Sequence, residues 1–90
     1  DLFSGCGTFT FPLAETGARV LAAESDGQAL QALQAAARNR PEISLTPRDL
    51  FTEPLTPREL NTFDVVVIDP PRAGAASQTM QLAQTNVPLI

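Results

Sequence analysis

Ninety residues allow at most one small domain, and an apolar share of 43% is ordinary for a globular chain. A net charge of −4, with no Lys and no His, excludes a surface that draws nucleic acid by itself, because phosphate attraction needs clustered Lys and Arg. One cysteine excludes an internal disulfide and a cysteine-only metal site, the carboxylates are scattered, and no apolar run reaches the roughly eighteen residues of a membrane span.

Leu2 and Phe3 read as the end of a buried strand, and residues 4–7 as a turn, since glycine tolerates backbone angles that other residues avoid. A helix is expected from about Thr8, with Pro12 tolerated near its first turn and Gly17 as its stop. Residues 19–24 read as a second strand, short and apolar as parallel strands are. Asp26 can cap the next helix, whose apolar face is Ala29, Leu30, Leu33, Ala36 and Ala37. Residues 43–46 alternate like a strand near a sheet edge, and Pro47, Pro54 and Pro57 mark an irregular connection with a short helix over 57–61. The clearest strand is 63–69, where the apolar run 65–68 predicts burial on both faces. Another short helix is expected over 77–84, and a strand begins at Val87.

The order β-α-β-α-β-β-α-β predicts an α/β fold: a mostly parallel sheet flanked by helices, with right-handed crossovers. Asp1 reads as the tail of a strand, and 87–90 as the start of another. The expectation is a piece of a longer, intracellular protein, cut at both ends. Open strand edges make self-association of the piece an expected property. The first residues do not read as a basic-then-apolar leader.

Two segments carry most of the chemistry. The first is Asp1-Leu2-Phe3-Ser4-Gly5-Cys6-Gly7-Thr8-Phe9-Thr10, a strand end entering a glycine turn. It lacks the final Gly or Ala of the dinucleotide fingerprint, so a ligand with a small carboxylate tail suits it better than a pyrophosphate. A simple tight turn would read the same. The second is Asp69-Pro70-Pro71-Arg72, where two prolines fix the backbone as it leaves the sheet and hold the acid at the mouth of a crevice. Glu24, ending the second strand, can accept ribose hydroxyls, or be a solvated strand-end acid. Asp49 can accept an exocyclic amine while Leu50 packs on a ring, or can be a loop acid. Cys6 reads as a small turn-filling residue, because no His is present to activate it. Phe9, Phe11, Phe51 and Phe63 read as core, and Arg38 and Arg40 as a solvated helix end.

The stretch from Asp1 through Pro12-Leu13-Ala14 resembles the first motif of the uracil-5 RNA methyltransferases, and Asp69-Pro70-Pro71-Arg72-Ala73-Gly74-Ala75 resembles their fourth, especially in the 23S ribosomal RNA branch. The likeness spans nearly the whole chain. Amino-group methyltransferases usually carry an aromatic residue after the two prolines, where this chain has Arg72. The resemblance implies a partial Rossmann-like class I methyltransferase fold and S-adenosyl-L-methionine as cofactor. It implies that Asp1, Gly5 and Gly7, with Thr8 and Phe9, line the methionine part. It places Glu24 on the ribose, Asp49 and Leu50 on the adenine, and Asp69 near the methyl group and the target base, with Pro70 and Arg72 at that pocket. The family often has cysteine where this chain has Ser4. Its nucleophilic cysteine and base glutamate would fall beyond Ile90, and its RNA-binding and iron–sulfur parts, where they occur, before Asp1. The resemblance therefore implies RNA as the partner of the parent enzyme, a cytoplasmic location, no membrane contact, and no catalysis by residues 1–90 alone.

Overall fold

A computed structural model describes residues 1–69 and 76–89. Its regular elements are α1 (Thr10–Glu15), β1 (Val20–Glu24), α2 (Gly27–Ala36), β2 (Ile43–Pro47), α3 (Pro57–Leu60) and α4 (Ala76–Leu82). The strands β1 and β2 pair in parallel, with Val20 opposite Ile43 and Glu24 opposite Pro47. Single parallel bridges extend the sheet from Ala23 to Leu2, from Leu2 to Ile68, and from Val66 to Leu89. Numbered along the chain, the five extended segments therefore lie in the spatial order 3-2-1-4-5. The order reverses between Leu2 and the segment at 66–68, and the chain leaves those two neighbours in opposite directions across the sheet.

Local chemistry explains the element ends. Asp26 accepts the Ala29 N–H at 2.9 Å and starts α2. Thr56 and Glu59 close a reciprocal capping box around α3, with Pro57 in its first turn. Gly17, at φ 94°, stops the chain after α1. Helix α1 begins at Thr10 rather than Thr8, because the turn runs on through Phe9, whose side chain makes no capping bond. Helix α4 ends at Leu82 rather than at 84, where Thr85 turns back to bond the Leu82 carbonyl. On α2 only Leu33 is fully buried and Ala36 is exposed, so the expected apolar face is narrower than its spacing suggested.

Two clusters hold the molecule. Leu2, Ala23, Leu50, Leu55, Leu60, Val66 and Leu82 join the sheet to α3, α4 and the connection before them. Ala14, Val20 and Ile43 form a smaller cluster with Phe11 and Leu13 beneath α1. The segment 63–69 is less sheet-like and less buried than the sequence suggested: among the described residues it bridges only at Val66 and Ile68, and Val65 is 46% exposed. The reason is cover that stops short of Val65, since Val67, two residues on and on the same face, is buried. Val66 faces Leu60 and Leu82, whereas Val65 opens onto a groove of about 780 Å³ shared with Leu13, Val20, Phe63 and Val67. Among the described residues, no helix is long and apolar enough to cross a membrane.

Candidate functional site

The turn after Leu2 is shaped by three left-handed residues: Phe3 (φ 57°), Gly5 (φ 56°) and Gly7 (φ 103°). The Gly7 N–H closes the turn on the Ser4 carbonyl at 3.0 Å. A Cβ on Gly7 would lie 2.5 Å from Phe11 and 2.8 Å from Leu33, so that position needs glycine for packing as well as backbone. A Cβ on Gly5 would meet nothing within 4 Å, and its requirement is backbone alone.

Glu24 ties this turn to the end of β1. One carboxylate oxygen, Oε1, accepts the Gly5 N–H at 2.8 Å, and Oε2 accepts the N–H groups of Ser25 at 3.1 Å and Asp26 at 2.9 Å. A carboxylate offers about four acceptor positions, so Glu24 keeps about one, on Oε1. Asp1 accepts the Thr10 hydroxyl through Oδ2 at 2.6 Å. Its other oxygen, Oδ1, is buried with no hydrogen-bond partner among the described residues, as is the Ser4 hydroxyl. The Asp1 backbone nitrogen donates to the Leu21 carbonyl at 2.7 Å.

Beside the turn lies a cleft of about 210 Å³. Glu24, Leu50 and Asp69, all singled out from sequence, line it together. Phe3, Ser25, Arg48 and Phe51 complete the lining. Thr8 and Phe9 are exposed on the turn and lie outside this lining, as do Asp1, Gly5 and Gly7. Asp49 is exposed, and its Oδ1 accepts the Phe51 N–H at 2.9 Å, so its carboxylate is engaged in the loop. Pro70 and Arg72 lie outside the described residues.

The connection that bears Leu50 and Phe51 is firmly tied. Arg48 donates to the carbonyls of Glu53 (2.7 Å) and Pro54 (2.8 Å) and forks onto both oxygens of Glu59, at 2.8 and 3.0 Å. That guanidinium holds the Glu59 carboxyl at about 2, and Glu59 raises Arg48 above its ordinary value. From α4, the fully buried Gln78 clamps one residue of the connection on both sides of its Cα. Its Oε1 accepts the Leu55 N–H at 2.7 Å and its Nε2 donates to the Leu55 carbonyl at 3.0 Å.

Sequence reasoning missed Phe51 as a cleft residue and took it, with Phe9, for core. They are 42% and 44% exposed. The available signal was Phe51's position directly after Asp49-Leu50, within a proline-marked connection. Arg40 is likewise no free helix end: it donates to Glu42 at 2.6 Å and lies 5.9 Å over the Phe11 ring.

No protein-family model matches the chain. Over nearly its whole length, however, the chain is homologous to proteins named RNA methyltransferases, and the resemblance to that class is borne out. An uncharacterised RNA methyltransferase of Caulobacter vibrioides is 52% identical over 90 residues, covering 97% of this chain and 21% of that protein. One from Mesorhizobium japonicum is 48% identical over 93 residues, covering all of this chain and 22% of that protein. The particular activity is spelled out for a third relative, the 23S rRNA (uracil(1939)-C(5))-methyltransferase RlmD of Halomonas elongata. It is 39% identical over 93 residues, covering all of this chain and 19% of that protein. The chain thus spans about one fifth of the length of the curated relatives it matches.

Proposed function

We propose that residues 1–90 are the S-adenosyl-L-methionine-binding part of an RNA (uracil-5)-methyltransferase acting on 23S rRNA, and that they form part of a Rossmann-like class I domain. The observation that carries this reading is the Gly5–Glu24 hydrogen bond beside a cleft that also holds Asp69, in a chain homologous to RNA methyltransferases. The reversal of strand order between segments 1 and 4 supports it, because ligands of open α/β sheets bind where carboxyl ends diverge in this way.

The residues present fit such a cofactor. The orphaned Asp1 Oδ1 and Ser4 hydroxyl offer polar partners to the amino-acid end, beside Gly5, Gly7, Thr8 and Phe9. Glu24 has an acceptor position for a ribose hydroxyl. Leu50, with Asp49 behind it, gives the adenine an apolar floor. Asp69, with Pro70 and Arg72 following, belongs to the pocket of the target base. When bound, the cofactor supplies an electrophilic methyl group. This chain's residues orient it, keep water from its apolar end, and leave Asp69 facing the acceptor. Uracil C5 needs activation by a nucleophile, and its base must leave the stack to be reached. Cys6 sits exposed on the turn with no His in the chain to activate it, so the nucleophile and the base belong to other parts of the parent protein. RNA contact belongs there too, since this surface carries a net charge of −4. The parent is then a cytoplasmic enzyme.

Two measurements test this. Calorimetric titration should show binding of S-adenosylhomocysteine by the chain in preference to NAD, and the reverse preference rejects the reading. A methyl-transfer assay on uracil-containing RNA should show turnover by the full-length parent and none by residues 1–90. Turnover by the ninety residues would overturn the assignment of catalysis to other parts.

A further inference from the structure

We propose that Phe51 is the wall on which the flat ring of the ligand lies in this cleft, and that Phe3 is the positioning residue that holds it there. The proposal rests on the cofactor reading above, with adenine as the ring.

Phe51 is a large apolar side chain left 42% exposed at the cleft, on a connection that is otherwise tightly fastened. Asp49 fixes its amide, Arg48 binds the carbonyls of Glu53 and Pro54 just beyond it, and Gln78 clamps Leu55. The exposure is therefore held in place rather than left by a slack loop. Phe3 supports it from the other side. The two rings meet edge to face, with centroids 5.6 Å apart and planes at 63°. Whichever ring presents its edge, Phe3 leaves at least one face of Phe51 uncovered by itself, and the side chain is 42% exposed.

Phe3 makes this contact from a left-handed backbone (φ 57°), which residues other than glycine rarely adopt and which persists only where the surroundings over-determine it. Among the described residues it is the one non-glycine residue at positive φ, and its ring lines the same cleft. Around the pair, Leu50 is an apolar floor and Glu24 a polar neighbour with an acceptor position to spare. The cleft thus offers a ring surface adjoining a hydroxyl acceptor, which is the pattern of a nucleoside. The same geometry assigns Asp49 an indirect part: it sets the Phe51 backbone through Oδ1.

The test is calorimetric titration of the full chain with S-adenosylhomocysteine and with NAD, both of which carry adenine, alongside urea denaturation of each variant. Phe51→Ala should weaken binding by about tenfold or more, the scale of one lost base–aromatic stack, while keeping a cooperative urea transition. Phe51→Tyr should keep affinity within about twofold because the ring remains. Phe3→Ala should weaken binding severalfold, Phe3→Tyr should keep it, and Phe3→Leu, which fills space without a ring, should weaken it as well; wild-type affinity in Phe3→Leu would reduce Phe3 to a space-filling role. Wild-type affinity in Phe51→Ala for whichever ligand binds overturns the ring wall and leaves the cofactor reading standing. Binding of NAD alone, lost in Phe51→Ala, rejects the methyltransferase cofactor and keeps the wall. Failure of the wild-type chain to bind either ligand overturns both.

Discussion

The glycine turn at residues 3–9 and the connection at residues 48–56 border the same cleft but are built in opposite ways. The connection is bonded along its length: Arg48, Asp49, Gln78 and a capping box hold it. The turn is not. It holds three left-handed residues and adjoins two buried polar atoms, Asp1 Oδ1 and Ser4 Oγ, that find no partner among the described residues. Buried polar groups left unmade cost about 1–3 kcal/mol each, so the turn carries a debt that a ligand can cancel, while the connection is set before any ligand arrives.

This contrast can be broken most forcefully at Gln78. Gln78→Leu keeps similar bulk but strands both the N–H and the carbonyl of Leu55, and should cost about 3 kcal/mol in urea denaturation. A loss below about 1 kcal/mol would mean that the connection does not depend on its clamp. The two glycines sharpen the comparison within the turn. Gly7→Ala meets Phe11 at 2.5 Å as well as an unfavourable φ, and should cost about 2–3 kcal/mol. Gly5→Ala meets only the φ penalty, about 1 kcal/mol, and equal losses at the two sites would contradict the packing described for Gly7.

Acid tests the connection more gently. The folded Glu59 carboxyl sits at about 2, against an ordinary value of 4.5. Between those values the unfolded chain binds more protons, so this contribution is complete above about 4.5 and is lost as pH falls toward about 2. Glu59 is 42% exposed, so solvent screening limits the effect to at most about 1 kcal/mol. Unfolding free energies measured across that window should show the slope, and Arg48→Gln should flatten it. The smallest stability effect belongs to Phe51→Ala. The ring is already 42% exposed, so truncation should shift the unfolding free energy by less than about 1 kcal/mol.

Much of the fold was legible because its signals are local. Asp26 and Gly17 act within one turn of themselves, and the alternation of strand and helix in the chain follows from periodicity. Glu24, Leu50 and Asp69 could be placed at one cleft because parallel strands bring their carboxyl ends to one edge. What failed was non-local. The exposure of Val65, against the burial of Val67 on the same face, depends on how far along the segment the cover reaches, and hydrophobicity does not encode that. Arg48 looks like any loop cation until Glu59, eleven residues on, folds back to meet it. Phe51 was taken for core by composition, although its exposure is what makes it usable.

Leu2 is bridged to Ala23 on one side and Ile68 on the other, and its amide bonds the Val67 carbonyl at 2.8 Å. Within the sheet, Leu2 thus joins the five-residue ladder of β1 and β2 to the segment at 66–68. Amide exchange should accordingly be slow along that ladder and markedly faster at Val66, whose amide bonds the Pro88 carbonyl in an isolated bridge rather than in a continuous ladder.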